Sequence, residues 1–394
     1  MNTKKQIHFL HTHPVQYIVP LYKKLAAEPD IEVTVLFCSK RGLGDEVDEQ
    51  FGIKVKWDIP ILEGYNYVFL KNHSFRKGHY RGILGYINLG VIKHILKAPR
   101  GSLLVIQGWA KITFLLGIIV GRLSGKKMAL RVEASMSHEN LKGKGKQLLR
   151  RFVLSYLLFP WFHKFLYIGK QNKAFYKYFG VPENKLIFTP YCVNNERFIK
   201  QKIALGNRVD EPKTGLGIKP NQRVILYSGK YIDVKKPLDL LNAFLKCSDL
   251  NAFLVFMGEG ELRKEMEAFI THHQLNNVVL TGFINQSKVA DYYGIADIFV
   301  MCSRTETWGL STNEAMNFGV PVVLPHTAGC ADDLVIEGKN GYIFESGNVD
   351  ELAAVLRKLI EMPEDELREM GEVSAKHVLE YSNETIVKNI KTIL

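Results

Sequence analysis

Two carboxylates eight positions apart, Glu306 and Glu314, stand in the stretch SRTETWGLSTNEAMNFGVPVV, residues 303–323. Between them lie an aromatic residue, a glycine and three hydroxyls, and an apolar, strand-like run comes after them. Ionised carboxylates only accept hydrogen bonds, so a pair of them suits a ligand rich in hydroxyl donors. A plainer reading exists for Glu314, because Ser311-x-x-Glu314 spells a helix capping box. Glu306 has no such explanation, since a strand-to-helix loop does not require an acid there. Upstream, other apolar runs end in comparable polar clusters: Gly229-Lys230 with Lys235 and Lys236 beyond, Gly258-Glu259-Gly260, and Gly282-Phe283. Glycine permits close backbone approach and lysine brings charge to a phosphate. Phosphate plus polyol describes a nucleotide-sugar. Taken singly, the glycines fit ordinary turns and the lysines a solvated helix start.

These residues need a frame that sets strand ends side by side. Short β-branched and aromatic runs alternate with amphipathic segments along the whole chain. The first half has QIHFLHT, EVTVLFC, YVFLKN, SLLVIQGW, MALRVEA and KFLYIGK; the second has RVILYSGK, NAFLVFMGEG, NVVLTGFI, DIFVMCS, PVVLPH and GYIFE. Runs this apolar, alternating with helices, predict parallel sheets covered on both faces. The pattern restarts near residue 220, after the polar stretch GNRVDEPKTGLGIKPNQ. The expectation is an α/β chain of two Rossmann-like doubly wound domains facing a central cleft. Residues 1–200 form the first domain, 201–375 the second, and 376–394 a C-terminal helix that crosses back to the first. Ligands of such sheets bind beyond the carboxyl ends of the strands.

Length and composition agree with two domains: 394 residues, 46% hydrophobic and 23% charged. The five cysteines show no metal spacing and fit a reducing compartment. The N-terminus lacks a signal-like apolar region, and the run ITFLLGIIVG is too short to span a bilayer. A cytoplasmic protein, soluble or peripheral on the inner membrane face, is expected. The net charge of +12 is lopsided. Residues 1–200 hold 32 Lys and Arg against 13 Asp and Glu, while residues 201–394 hold 20 against 27. The basic half therefore faces something anionic, be it a membrane, an acidic substrate or a nucleic acid. Residues 142–165, KGKGKQLLRRFVLSYLLFPWFHKF, join basic and apolar residues and suit either an anionic bilayer or a buried helix with an exposed charged end. No nucleic-acid-binding signature appears.

From YSGKYIDVKKPLDLLNAF through FMGEGELR, LTGFINQSKVADYYGIADIFVMCS and ETWGLSTNEAMNFGVPVV to GKNGYIF, the second half resembles the donor half of retaining glycosyltransferases of family 4. Its best marker is the E-x7-E pair Glu306–Glu314. The resemblance implies a GT-B fold and transfer of a hexose-type sugar from a nucleotide-sugar, UDP favoured over GDP, to a glycan or lipid-linked acceptor hydroxyl. Such transfer retains the anomeric configuration and belongs to cell-surface glycan or glycolipid synthesis. It implies that Lys230 and Lys235 clamp the diphosphate and that Glu306 contacts the donor sugar. Gly229, Gly258, Glu259, Phe283, Trp308, Gly309 and Leu310 line the donor, and Glu314 takes the ribose. Lys230 stands where the family usually has arginine, and Gly329-Cys330 stands for a glycine pair. A first-domain histidine of many members aligns with Glu133, so Glu133 is a candidate catalytic residue, or else a loop carboxylate paired with Arg131. His13, Gln16, Arg131 and His138 are acceptor-side candidates, with His11 beside them. No strict D-x-D motif is present, so neither metal nor cofactor is expected. The rival readings are a nucleotide-sugar epimerase or phosphorylase of the same fold and a nucleic-acid-binding protein.

Overall fold

A computed structural model describes residues 4–44, 47–48, 53–54, 58–75, 82–140, 142–206 and 210–394. Each of the twelve apolar runs contains a strand. In the first half these are β1 (Lys5–His11), β2 (Ile31–Phe37), β3 (Asn66–Phe69), β4 (Leu103–Ile106), β5 (Lys127–Arg131) and β6 (Lys164–Tyr167), joined by a short β7 (Leu186–Phe188). They form one parallel sheet in the order β3-β2-β1-β4-β5-β6-β7. The second half supplies β8 (Arg223–Ser228), β9 (Ala252–Met257), β10 (Val278–Leu280), β11 (Ile298–Val300), β12 (Val322–Pro325) and β13 (Gly341–Phe344), also parallel, in the order β10-β9-β8-β11-β12-β13. Every residue of β4 and β9 is buried, as expected where helices cover both faces of a sheet. In each sheet the order runs outward one way and then reverses beside the first strand. That reversal leaves a crevice at the carboxyl ends of β1 and β4, and of β8 and β11.

The helices that flank these strand ends or tie distant segments together are α1 (Val19–Ala27), α2 (Lys144–Phe152), α3 (Asn195–Leu205), α4 (Pro237–Leu245), α5 (Val289–Ile295), α6 (Leu310–Asn317) and α7 (Asn383–Lys391). The chain divides into two compact units. Unit 1 is Met1–Glu46, Pro60–Tyr191 and Asn383–Leu394, and unit 2 is Val47–Ile59 and Cys192–Ser382. The crossing after Tyr191 comes earlier than the polar stretch at 206–222 suggests, because α3 packs on unit 2. Asn195 donates to the carbonyls of Val378 (3.3 Å) and Tyr381 (3.1 Å) and accepts from Asn317 Nδ2 at 3.1 Å. The ring of Phe198 lies edge-on to Tyr293. Part of that polar stretch is itself helical, over Asp210–Gly215. The last helix, α7, lies on unit 1, where Asn389 Nδ2 donates to the carbonyl of Phe188 at 2.7 Å and Lys391 pairs with Glu28 at 2.6 Å. The core of unit 1 is strongly aromatic; Phe159, Phe165, Phe175, Tyr176 and Phe179 are all buried in one cluster.

Candidate functional site

The switch crevice of unit 2 is built by the loops that leave β8 and β11. After β8 the chain passes Gly229 and Lys230, makes a short 3₁₀ turn over Asp233–Lys235, and enters α4 with Pro237 at its first position. Proline suits that position because its missing N–H is one the helix leaves unbonded anyway. Lys236, the residue before it, takes a left-handed conformation at φ 51°. After β11 the chain runs through Arg304 and Glu306 to Gly309, which caps α6. The two loops are tied at three points. Lys235 Nζ pairs with the carboxylate of Glu306, Arg304 Nη2 meets Asp233 at 3.0 Å, and Arg304 N donates to the carbonyl of Val234 at 2.9 Å. Thr307 N donates to Glu306 Oε1 at 3.0 Å, so the carboxylate is oriented from its own loop as well.

The loop after β9 approaches so closely that Gly258 admits no side chain: a Cβ there stands 1.9 Å from the carbonyl oxygen of Gly229. Gly258 N donates to Gly282 O at 3.0 Å, which draws in the end of β10 and neighbouring Phe283. Glu259 pairs with Arg263, and its carbonyl accepts from Tyr231 N at 2.8 Å. The strand order therefore gathers Gly229, Lys230, Lys235, Gly258, Glu259, Phe283, Glu306, Trp308, Gly309 and Leu310 at the carboxyl edge of one sheet.

Glu314 lies differently. It is 3% exposed, and Tyr293 of α5 donates its hydroxyl to Oε2 at 2.7 Å. The capping-box reading fails: Ser311 is inside α6, whose cap is Gly309, so Glu314 sits beyond the first turn. Trp308 Nε1 donates to Asn313 Oδ1 at 2.8 Å, fixing the indole against the same helix. Gly329 and Cys330 return under the loop; their N–H groups donate to the carbonyls of Glu306 (3.0 Å) and Trp308 (3.2 Å). A Cβ at Gly329 stands 2.0 Å from Thr307 O, which accounts for the first half of that pair. Burial pushes the Cys330 thiol well up, so it is a neutral packing group. Sequence reasoning missed Tyr293, Thr307, Asn313 and Arg304. Their partners lie elsewhere in the chain or one residue away in a loop of no recognisable pattern.

In unit 1, Arg131 ends β5 and Glu133 follows it on an exposed turn. The pairing of Glu133 with Arg131 does not form. Glu133 Oε1 accepts from the hydroxyl of Tyr191 at 2.6 Å, and the guanidinium of Arg131 lies over the same ring, 5.3 Å from its centroid. His11 Nδ1 meets the carbonyl of His13 at 2.5 Å, and Thr12 Oγ1 meets His13 Nδ1 at 2.9 Å. Burial above all, then the neighbouring His13, pushes His11 down to about 3; burial and then Arg41 push His13 to about 4. Gln16 is buried in the loop after β1. His138 lies in the short helix Met136–Asn140, and its side chain is outside the described residues.

Two parallel sheets of order 3-2-1-4-5, each with its polar edge at the switch point, are the GT-B fold. An Anabaena protein, HepE, solved in complex with UDP, superposes on this chain with a TM-score of 0.74 at 16% identity, covering 98% of both chains. Residues 209–377 match the family model described as glycosyl transferases group 1. The sulfoquinovosyl transferase of Arabidopsis thaliana is 32% identical over 143 residues, 36% of this chain and 27% of that protein. The alpha-monoglucosyldiacylglycerol synthase of Acholeplasma laidlawii is 27% identical over 216 residues, 54% of this chain and 52% of that protein. The chain thus spans about a quarter and about half of the length of these relatives.

Proposed function

We propose that the protein is a retaining glycosyltransferase that moves a hexose-type unit from a UDP-sugar to an acceptor hydroxyl, in glycan or glycolipid synthesis. The observation that carries this reading is the Lys235–Glu306 pair set at the switch crevice of unit 2, beside Gly229 and Gly258, whose backbones pack too closely for a side chain at Gly258. Glu306 accepts hydrogen bonds from the donor sugar, and Lys235 and Lys230 face the diphosphate. Glu314, oriented by Tyr293, takes the ribose. As the bond from the anomeric carbon to the diphosphate breaks, its electron pair stays on the phosphate. The acceptor oxygen bonds to the same face of the carbon, and its proton passes to the departing phosphate. Charge grows on that phosphate in the transition state, so two ammonium groups and the N-terminus of α4 accelerate the step electrostatically. This mechanism uses no metal. The acceptor binds unit 1, with Glu133 and His13 among the residues near it.

The partner of the basic half, on this reading, is an anionic bilayer. Around α2 the residues Leu148 (68% exposed), Phe152 (56%) and Tyr156 (71%) face solvent, with Leu149 and Leu157 beside them. Lys144, Lys146 and Arg151 are exposed on the same segment. Apolar wedges flanked by lysine and arginine match the interior and headgroups of such a surface. None of the described helices is long and apolar enough to cross a membrane. The diacylglycerol in the name of the Acholeplasma relative supports a lipid-linked acceptor.

The test is a thermal-shift panel with UDP, GDP and ADP. A ligand at 100 times its Kd stabilises by about 2.7 kcal/mol. A shift with UDP that Glu306→Gln leaves intact and Glu314→Gln weakens is expected. No shift with any of the three sinks the donor reading, and conversion of donor to an isomerised sugar without acceptor favours an epimerase.

A further inference from the structure

Arg131 is 5% exposed. A guanidinium withdrawn from water costs several kcal/mol unless a carboxylate or a full set of acceptors replaces the water. Here neither does. Its Nε has no hydrogen-bond partner, and among the described residues its contact is the face of the Tyr191 ring. Glu133, two residues along, spends its hydrogen bond on the Tyr191 hydroxyl instead. The other groups within reach of the arginine charge are held neutral: burial pushes His11 down to about 3 and pushes the hydroxyls of Tyr22, Tyr176 and Tyr191 up.

A second buried group points the same way. Gln16 is 7% exposed, and its Oε1 has no partner. The residue next to it, Tyr17, is close enough to Tyr191 for the two hydroxyls to interact electrostatically. Gln16 lies beyond the carboxyl end of β1 and Arg131 at that of β5, with β4 as the strand separating them. Two strand spacings make about 10 Å, the span of a small ligand. The reversal of strand order falls beside β1, where an open parallel sheet binds ligands.

We propose that Arg131 is the anion-recognition residue of unit 1, binding a carboxylate or phosphate of the acceptor, while Gln16 Oε1 accepts from a hydroxyl of the same molecule. This rests on the reading of unit 1 as the acceptor side; it adds that the acceptor is anionic. A guanidinium whose buried Nε finds no protein acceptor keeps two parallel donors for an oxyanion, a geometry lysine lacks.

The experiment is thermal denaturation of the full chain at constant ionic strength, with inorganic phosphate, with tartrate, and separately with UDP. Wild type, Arg131→Met, Arg131→Lys and Lys235→Ala are compared. Phosphate or tartrate raises Tm of the wild type and of Lys235→Ala, and the active one of the two identifies the group recognised. The shift disappears in Arg131→Met and needs roughly tenfold more anion in Arg131→Lys. Without ligand, Arg131→Met melts at or above the wild-type temperature, because an uncompensated buried charge has gone. A shift that survives in Arg131→Met, that is lost in Lys235→Ala, or that is missing from the wild type overturns the proposal. So does a ligand-free Arg131→Met that melts well below wild type while Arg131→Lys keeps the full anion response, since the charge then serves the fold. The UDP arm keeps the two readings apart. An Arg131-dependent anion shift without any UDP shift leaves the anion site standing and removes the donor reading.

Discussion

Glu306→Gln isolates one charge at the centre of the switch crevice of unit 2. The amide oxygen of glutamine can still accept from Thr307 N at 3.0 Å, so the loop keeps its shape. What disappears is the negative charge facing Lys235. Both side chains are mostly covered yet keep an edge in water. The pair therefore falls between an exposed ion pair, about 0.2–1 kcal/mol, and a truncated buried one, about 3–5 kcal/mol. The expected loss is about 1–2 kcal/mol in folding stability, or roughly 3–6 °C in the melting of a unit this size. Transfer suffers more. Removing a charge-assisted hydrogen bond to the donor sugar should lower kcat/KM about a hundredfold, roughly 2.7 kcal/mol of transition-state stabilisation. The two effects separate in the double variant with Lys235→Met. Neither charge is then left uncompensated, so stability returns toward wild type, whereas transfer stays low. The assay is initial-rate transfer from UDP-sugar alongside melting curves of all four proteins. Turnover within about threefold of wild type in folded Glu306→Gln refutes the placement of this carboxylate on the sugar. Turnover restored in the double variant shows that the pair merely holds the two loops together.

Lys235→Ala should lower kcat more than it weakens UDP binding, and activity should survive excess chelator; loss with EDTA and recovery with magnesium or manganese means that a metal holds the diphosphate. Acid should destabilise unit 1 through His11 and His13. The unfolded chain takes up these protons near pH 6.5, and the folded one only near 3 and 4. The unfolded state therefore binds more protons as pH falls below 6.5, and each histidine costs about 2 kcal/mol by pH 5. Urea midpoints measured from pH 7 to 5 check this, and His11→Asn should flatten the slope; an unchanged slope contradicts the burial of that ring. Full-length protein should float with anionic vesicles and not with neutral ones. Lys144→Glu with Lys146→Glu should weaken that binding at least about thirtyfold, whereas equal flotation with both lipids, or with neither, ends the electrostatic account.

The strands were legible because apolarity and period are local properties. AFLVFM or SLLVIQ is too hydrophobic to be anything but a buried segment, and its length and neighbours make it a strand. The polar strand ends were legible for the same reason, as was the proline that starts α4. The three-residue β7 was not, because it is too short to show a period. Nor was the allegiance of α3, which is decided by Asn195 and Phe198 meeting residues far along the chain. The pairings that define the sites join Lys235 to Glu306, Tyr293 to Glu314 and Tyr191 to Glu133. Each depends on which strand lies beside which. Local sequence sets where a carboxylate stands relative to its own strand; the order of strands in the sheet sets what faces it. That is why Glu314 could be read as a cap and Glu133 as the partner of Arg131 until the sheets were assembled. Once they are, the capping position belongs to Gly309, and the buried guanidinium has no carboxylate partner among the described residues.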